Sequence, residues 1–182
     1  MAKEVKKKKN GFIGAILYLI SIVIPFALVF LFFHYIVSIH KVPSTSMMPN
    51  IAVGDILLSN DLAYKSREIQ RGDVVIFSSK QTDNKEYVKR VIGLPGDKVS
   101  FKAGKTYING KKLNESLYLN KEVKTTCGKT FKVPKGNYFV MGDNRPNSYD
   151  ARFWTDPYVP KSDISSKVFT TIGTKTFHIG FF

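Results

Sequence analysis

Glu86-Tyr87-Val88-Lys89-Arg90-Val91-Ile92-Gly93-Leu94 reads as a strand, rich in β-branched and aromatic residues and closed by a turn. The turn is Leu94-Pro95-Gly96-Asp97, with Pro and Gly where a type II turn wants its two central residues. Lys89 shares one face of the strand with Tyr87 and Val91, while Val88, Arg90 and Ile92 project from the other. In a central strand this lysine loses its water. Burial disfavours the ammonium and lowers a lysine pKa by several units, so that a neutral amine can take a proton from a serine near pH 7. On an edge strand the same lysine would snorkel to solvent.

Outward from this stretch, everything after Pro49 carries short runs of Val, Ile, Phe and Tyr punctuated by Gly, Asp, Asn and Pro. Strands are expected over 55–59, 73–79, 86–94, 98–101, 106–108, 111–113, 130–133, 138–141 and 168–172. No long helical period appears, so the fold class is mainly β. Asn109-Gly110 is a hairpin signal, because both residues tolerate positive φ. Gly-Asp occurs at Gly54-Asp55, Gly72-Asp73, Gly96-Asp97 and Gly142-Asp143, and the first three are turn punctuation before a strand. The polar, turn-rich stretch 102–135 predicts a smaller β subdomain inserted into the main one.

A strand lysine acting as a base needs a nucleophile. Pro43-Ser44-Thr45-Ser46-Met47-Met48-Pro49 offers one, since two serines two apart project to the same side of an extended segment. One hydroxyl can attack a carbonyl while the other, with a backbone N–H, stabilises the oxyanion. Read alone, a Ser-rich loop is more often a linker. Gly142-Asp143-Asn144-Arg145-Pro146-Asn147-Ser148-Tyr149-Asp150-Ala151-Arg152 supplies a third polar cluster. Asp143, Arg145, Asp150 and Arg152 are expected to pair as charges beneath a site, with Ser148 orienting an amine. A solvated loop is the alternative, at odds with the apolar residues on both flanks.

The Ser-rich loop follows a long apolar run. From Gly11 to Ile39 there are 29 residues without Asp, Glu, Lys or Arg, against the roughly 20 that a membrane-spanning helix needs. A cleavable signal peptide has an apolar region of only about 7–15 residues. The length, and the lack of a small-residue cleavage site before Lys41, favour a retained anchor. Lysines on its N-terminal flank keep the N-terminus cytoplasmic and send the rest across. The expected organisation is a basic tail over 1–10, an anchor over 11–39 and an extracytoplasmic domain over 40–182.

The chain has 182 residues and a formal charge of +14, of which residues 1–10 supply +4 through Lys3, Lys6, Lys7, Lys8 and Lys9 against Glu4. Beside an anionic bilayer each surface Lys or Arg gains about 1 kcal/mol. That makes lipid, rather than nucleic acid, the expected partner of the excess. The single cysteine, Cys127, excludes an intramolecular disulfide framework, and His34, His40 and His178 are too scattered for a zinc site. No structural metal is expected.

These blocks resemble the type I signal peptidases, Ser-Lys leader peptidases of peptidase family S26. Residues 44–49 look like the nucleophile box, 87–97 like the lysine box and 142–152 like the C-terminal box. With one N-terminal span, the chain is similar to the Gram-positive form. The resemblance implies a barrel-like β catalytic core with a smaller inserted β subdomain, preceded by one transmembrane helix. It implies Ser46 as nucleophile and Lys89 as general base, with the Ser44 hydroxyl and the Ser46 amide forming the oxyanion hole. Ser148 would orient the lysine, and Asp143, Arg145, Asp150 and Arg152 would be structural supports. Met47 would face substrate or lipid. Implied partners are secretory preproteins and the bilayer, with no cofactor and no nucleic acid, at the cell membrane. The chain departs from the family pattern at Thr45, Pro146 and Ala151.

Three other readings compete. A sortase-like cysteine transpeptidase would use Cys127 with Arg145 or Arg152, but it wants a histidine that the pattern does not supply. A membrane-displayed, non-catalytic β binding module has no reason to place Ser46 and Lys89 in these contexts. A self-cleaving Ser-Lys repressor would be cytosolic and unanchored.

Overall fold

The computed structural model describes residues 2–78, 85–120, 122–173 and 179–182, with side chains from Gly14 onward except that of His34. Ser79, at the end of one expected strand, and His178 lie outside the described residues. The chain divides into two compact units, Met1–Ser38 and Ile39–Phe182.

The first unit is one helix, α1 (Ala2–Ile36), with Pro25 inside it. Gly14–Phe33 forms a 20-residue window of mean hydropathy 2.8, none of it buried. At 1.5 Å per residue this window is about 30 Å long, the thickness of a hydrocarbon core. The helix begins at Ala2 and runs through the lysines into the apolar stretch, because lysine is a good helix former and charge alone does not stop a helix. It ends at Ile36, where β-branched Val37 and Ile39 turn the chain into β1 (Val37–Lys41).

The second unit is mainly β. Its larger sheet uses β1, β2 (Ile56–Asn60), β3 (Val74–Ser78), β4 (Glu86–Gly93), β9 (Asn137–Met141), β10 (Val159–Pro160), β11 (Ile164–Ile172) and β12 (Ile179–Phe181). A single helical turn, α2 (Ala63–Ser66), precedes β3. The strand order is β1-β2-β11-β3-β4-β9-β10, with β12 also on β11, and the sheet curls as a half-barrel. Between β4 and β9 the chain builds a second sheet from β5 (Lys98–Lys102), β6 (Lys105–Ile108), β7 (Lys111–Lys112) and β8 (Phe131–Lys132), in the order β7-β6-β5-β8. Asn109 and Gly110 take φ of 51° and 81°, which the tight hairpin between β6 and β7 requires.

β4 lies inside the larger sheet, between β3 and β9. Val75 stands opposite Lys89 and Phe77 opposite Tyr87. Val75, Phe77 and Val91 belong to one core cluster, and Val74 and Ile76, with Val88 packed on them, to the other. Ile92 departs from the expected alternation. The register with β9 shifts between Val91 and Gly93, and Ile92 joins Val91 in the same cluster, as an extra residue in a bulge permits.

β1, β10, β12 and the first half of β11 were absent from the sequence expectation, and Val37 to Ile39, expected in the anchor, belong to β1. Ser165, Ser166 and Lys167 show no strand alternation, yet β3 pairs with this segment from Ile164 to Lys167. Tertiary pairing outweighs local propensity there.

Candidate active site

Two backbone hydrogen bonds hold the loop after β1, Val42 N–H to Asp55 O at 3.0 Å and Gly54 N–H to Val42 O at 2.9 Å. The loop is plugged into the core by Met47, which is 1% exposed among Val42, Ile51, Leu57, Val74, Ile76 and Val168. This corrects the expectation that Met47 faces substrate or lipid. The outward residue is Met48, because the turn that bonds Met48 N–H to Thr45 O rotates the two methionines apart.

Ser46 is thereby pinned at the sheet, 8% exposed. Lys89 Nζ lies 2.7 Å from Ser46 Oγ and 3.0 Å from Val88 O, and Ser44 Oγ is 3.3 Å from Ser46 Oγ. Lys89 is 2% exposed, with the Tyr87 ring 5.4 Å from its amine. Burial pushes its pKa down to about 8, against an upward pull from the Asp150 and Asp143 carboxylates. A cleft of about 350 Å³ opens beside the pair, bordered by Val42, Pro43, Met47, Tyr87 and Val88 among others.

The segment after β9 clamps this loop from the other side. Asn144 N–H donates to Ser46 O and Asn144 Nδ2 to Thr45 O, each at 3.0 Å. Gly142 is where the two segments touch, since a Cβ there would collide with Ser148 Oγ and with the Ser46 carbonyl oxygen. Gly142→Ala is therefore expected to displace the Ser46 loop and destabilise the folded unit by about 1–3 kcal/mol in urea unfolding. A loss below about 0.5 kcal/mol would show that the loop can yield.

Of the four charges expected to pair among themselves, only Asp150 and Arg152 do, at 2.8 Å and 2.9 Å. Asp150 also accepts the Gly142 N–H at 2.9 Å. Asp143 instead takes both prongs of Arg90, at 2.8 Å and 2.6 Å. Arg145 reaches Glu115 at 2.6 Å and Thr125 Oγ1 at 2.7 Å, tying the loop to the segment after β7. A buried arginine needs a carboxylate, so Arg90 in an apolar strand was a readable signal for the first pair. Nothing local announced Glu115.

Ser148 is buried beside Gly142, and its hydroxyl has no hydrogen-bond partner. It is not a partner of Lys89 Nζ, which donates to Ser46 and Val88. Pro146 sits in the short 3-10 turn Arg145–Asn147, where its missing N–H costs little, and Ala151 is fully buried. Cys127 is half-buried at the edge of the larger core cluster. His40, the histidine whose side chain is described, contacts Glu86 and Ser59.

A β unit that buries a lysine amine against a loop serine has the constellation found among serine peptidases of Ser-Lys type. The chain belongs to the signal peptidase family, peptidase S26, whose profile matches residues 15–172. It is 38% identical over 152 residues to signal peptidase IB of Staphylococcus aureus strain Mu50, covering 74% of this chain and 78% of that one. It is 34% identical over 166 residues to signal peptidase I of Pseudomonas aeruginosa, covering 70% of this chain and 58% of the relative's length. A solved signal peptidase I from Enterococcus faecalis V583 matches at 32% identity with a TM-score of 0.47, over 56% of this chain and 97% of that one.

Proposed function

We propose that this chain is a membrane-anchored serine endopeptidase that removes N-terminal signal peptides from exported precursors. The observation that carries the reading is the 2.7 Å contact between Ser46 Oγ and the buried amine of Lys89. Charged, the amine donates to the hydroxyl; neutral, it accepts the hydroxyl proton, and Ser46 attacks the scissile carbonyl carbon. The Ser46 N–H and Ser44 hydroxyl stabilise the oxyanion. The C–N bond breaks as Lys89 returns the proton to the leaving amine, and the mature protein departs. Lys89 then takes a proton from water, whose oxygen attacks the ester carbon, and the bond to Ser46 Oγ breaks as Lys89 returns the proton to that oxygen, releasing the signal peptide with a free carboxylate.

Shallow apolar contacts from Pro43, Tyr87 and Val88, which border the cleft, favour small side chains at −1 and −3 relative to the cut bond. Ser148, packed against the same glycine as the Ser46 carbonyl, orients the lysine after rotation of its unpartnered hydroxyl. Asp143, Arg145, Asp150 and Arg152 hold the surrounding loop. Residues 1–10 form a cytoplasmic tail, 11–39 the anchor and 40–182 the extracytoplasmic catalytic region, with 102–135 as an inserted subdomain. The N-terminal lysines and the charge excess engage anionic lipid.

Incubating the detergent-solubilised full chain with a purified secretory precursor tests this reading. Mass spectrometry is expected to find one cut after a small residue; an intact precursor overturns it. The rate at low substrate should climb through pH 8 as the neutral fraction of Lys89 rises from about one-tenth at pH 7 to about nine-tenths at pH 9. A profile flat from pH 6 to 10 would exclude Lys89 as the titrating base.

A further inference from the structure

The cleft beside Ser46 is lined by two charged groups that the proposed chemistry does not use, Lys85 and Glu86. Glu86, at the start of β4, is the one carboxylate among the described residues lining it. His40 Nδ1 lies 3.0 Å from Glu86 Oε2, and His40 Nε2 lies 3.1 Å from Ser59 Oγ. The carboxylate is thus held in place although its side chain is 59% exposed.

Strand alternation puts Glu86 on the same face as Val88. That face packs with Val42 and Met47, which also border the cleft. The edge of β4 facing β9 is paired over Arg90–Gly93, so the Glu86 end lies beyond that pairing and can accept an extended peptide. The acyl half of a substrate stays bound through both steps while the amine half departs. A walled cleft beside the nucleophile suits the half that stays.

Lys89 Nζ bonds both Ser46 Oγ and Val88 O, so the reacting carbon lies level with Val88. Two peptides in extended form advance together at about 3.3 Å per residue, which brings −3 level with Glu86. Alternate residues −1, −3 and −5 face the Val88 wall. A small −3 side chain leaves the carboxylate uncovered. Residue −5 is about 7 Å further on, within reach of a lysine stem directed back along the wall.

We propose that Glu86 sets substrate preference by favouring a cationic side chain at −5, five residues before the cut bond. The inference rests on reading the cleft as the acyl side of a peptidase. Bulk electrostatics predict the opposite, because a chain of formal charge +14 attracts acidic peptides.

The test measures kcat/KM of the full chain in detergent at pH 8 and low salt, with precursor peptides bearing Lys, Ala or Glu at −5. Lys is expected to exceed Glu by about three- to tenfold, the range of a solvent-exposed ion pair gained against a like-charge contact. The ratio should fall to about one in Glu86→Gln and invert in Glu86→Lys, and shrink with added salt. Being a ratio on one protein, it is insensitive to partial misfolding of a variant. Cleavage of all three peptides with no preference for Lys, or a ratio unchanged in Glu86→Gln, overturns the inference while leaving the peptidase reading intact. Failure to cleave any peptide overturns both.

Discussion

Lys89→Met is expected to abolish precursor cleavage while making the folded unit more stable at neutral pH. Removing a general base lowers the rate by about 10²- to 10⁴-fold. Ser46→Ala, which removes the proposed attacking oxygen, should lose at least as much without gaining stability. The stability gain follows from the depressed pKa of Lys89, about 8 when folded against 10.5 for the free side chain. Below pH 8 the folded state carries the full cost of a buried ammonium, about 3 kcal/mol for a difference of this size. Between pH 8 and 10.5 the unfolded chain binds more protons than the folded one, so stability of the parent rises with pH and the cost disappears. Methionine fills a similar volume without the charge. Losing the contacts to Ser46 and Val88 offsets about 1 kcal/mol. Urea unfolding at pH 7 should therefore place the variant about 2 kcal/mol above the parent, with the curves converging near pH 10. A variant less stable at pH 7 would mean that the amine is not paying a desolvation cost.

Asp143→Ala should be the most destabilising single change near the site. Arg90 and Asp143 are both almost fully buried and meet through two short hydrogen bonds. Removing the carboxylate leaves the guanidinium in the interior with Gly72 O and the faces of Tyr118 and Phe182 near it. Breaking such a pair from one side costs about 3–5 kcal/mol. Asn50 Nδ2, which also donates to Asp143, loses a partner as well. Replacing both members, Arg90→Met with Asp143→Leu, should recover most of the loss, since a well-packed apolar pair is often as stable as the ion pair. Urea unfolding of the two variants beside the parent measures this directly. A loss below about 1 kcal/mol in Asp143→Ala would show that water reaches Arg90.

The parts of the fold legible in sequence were those governed by local repetition. The alternation through Tyr87, Lys89 and Val91, the Asn109-Gly110 turn and the apolar run before Ile39 each signal structure within a few residues. The Ser44 to Ser46 spacing and the polar density after Gly142 likewise marked two segments that meet, Asn144 bonding the Thr45 and Ser46 carbonyl oxygens. What could not be read depends on partners distant in sequence. The family resemblance implied that Met47 faces substrate or lipid, and only the packing of β2, β3 and β11 makes it core. Arg145 finds Glu115, 30 residues away, across the small sheet. The bulge at Ile92 exists because β9 pairs there. The serines at the start of β11 become a strand because β3 offers an edge.

The small sheet has a consequence for how these molecules meet one another. Between Lys98 and Lys135 the sequence holds ten lysines against Glu115 and Glu122. The register sets Lys98 opposite Lys132 and Lys102 opposite Lys105, and the edge strand β7 is Lys111-Lys112. Like charges facing across strands weaken a sheet, and lysines on an edge repel any strand that would extend it. Part of the small sheet's strength is thus exchanged for colloidal insulation, keeping neighbouring copies apart. Raising the ionic strength should shift both properties together, firming the sheet as it screens the repulsion and allowing copies to approach.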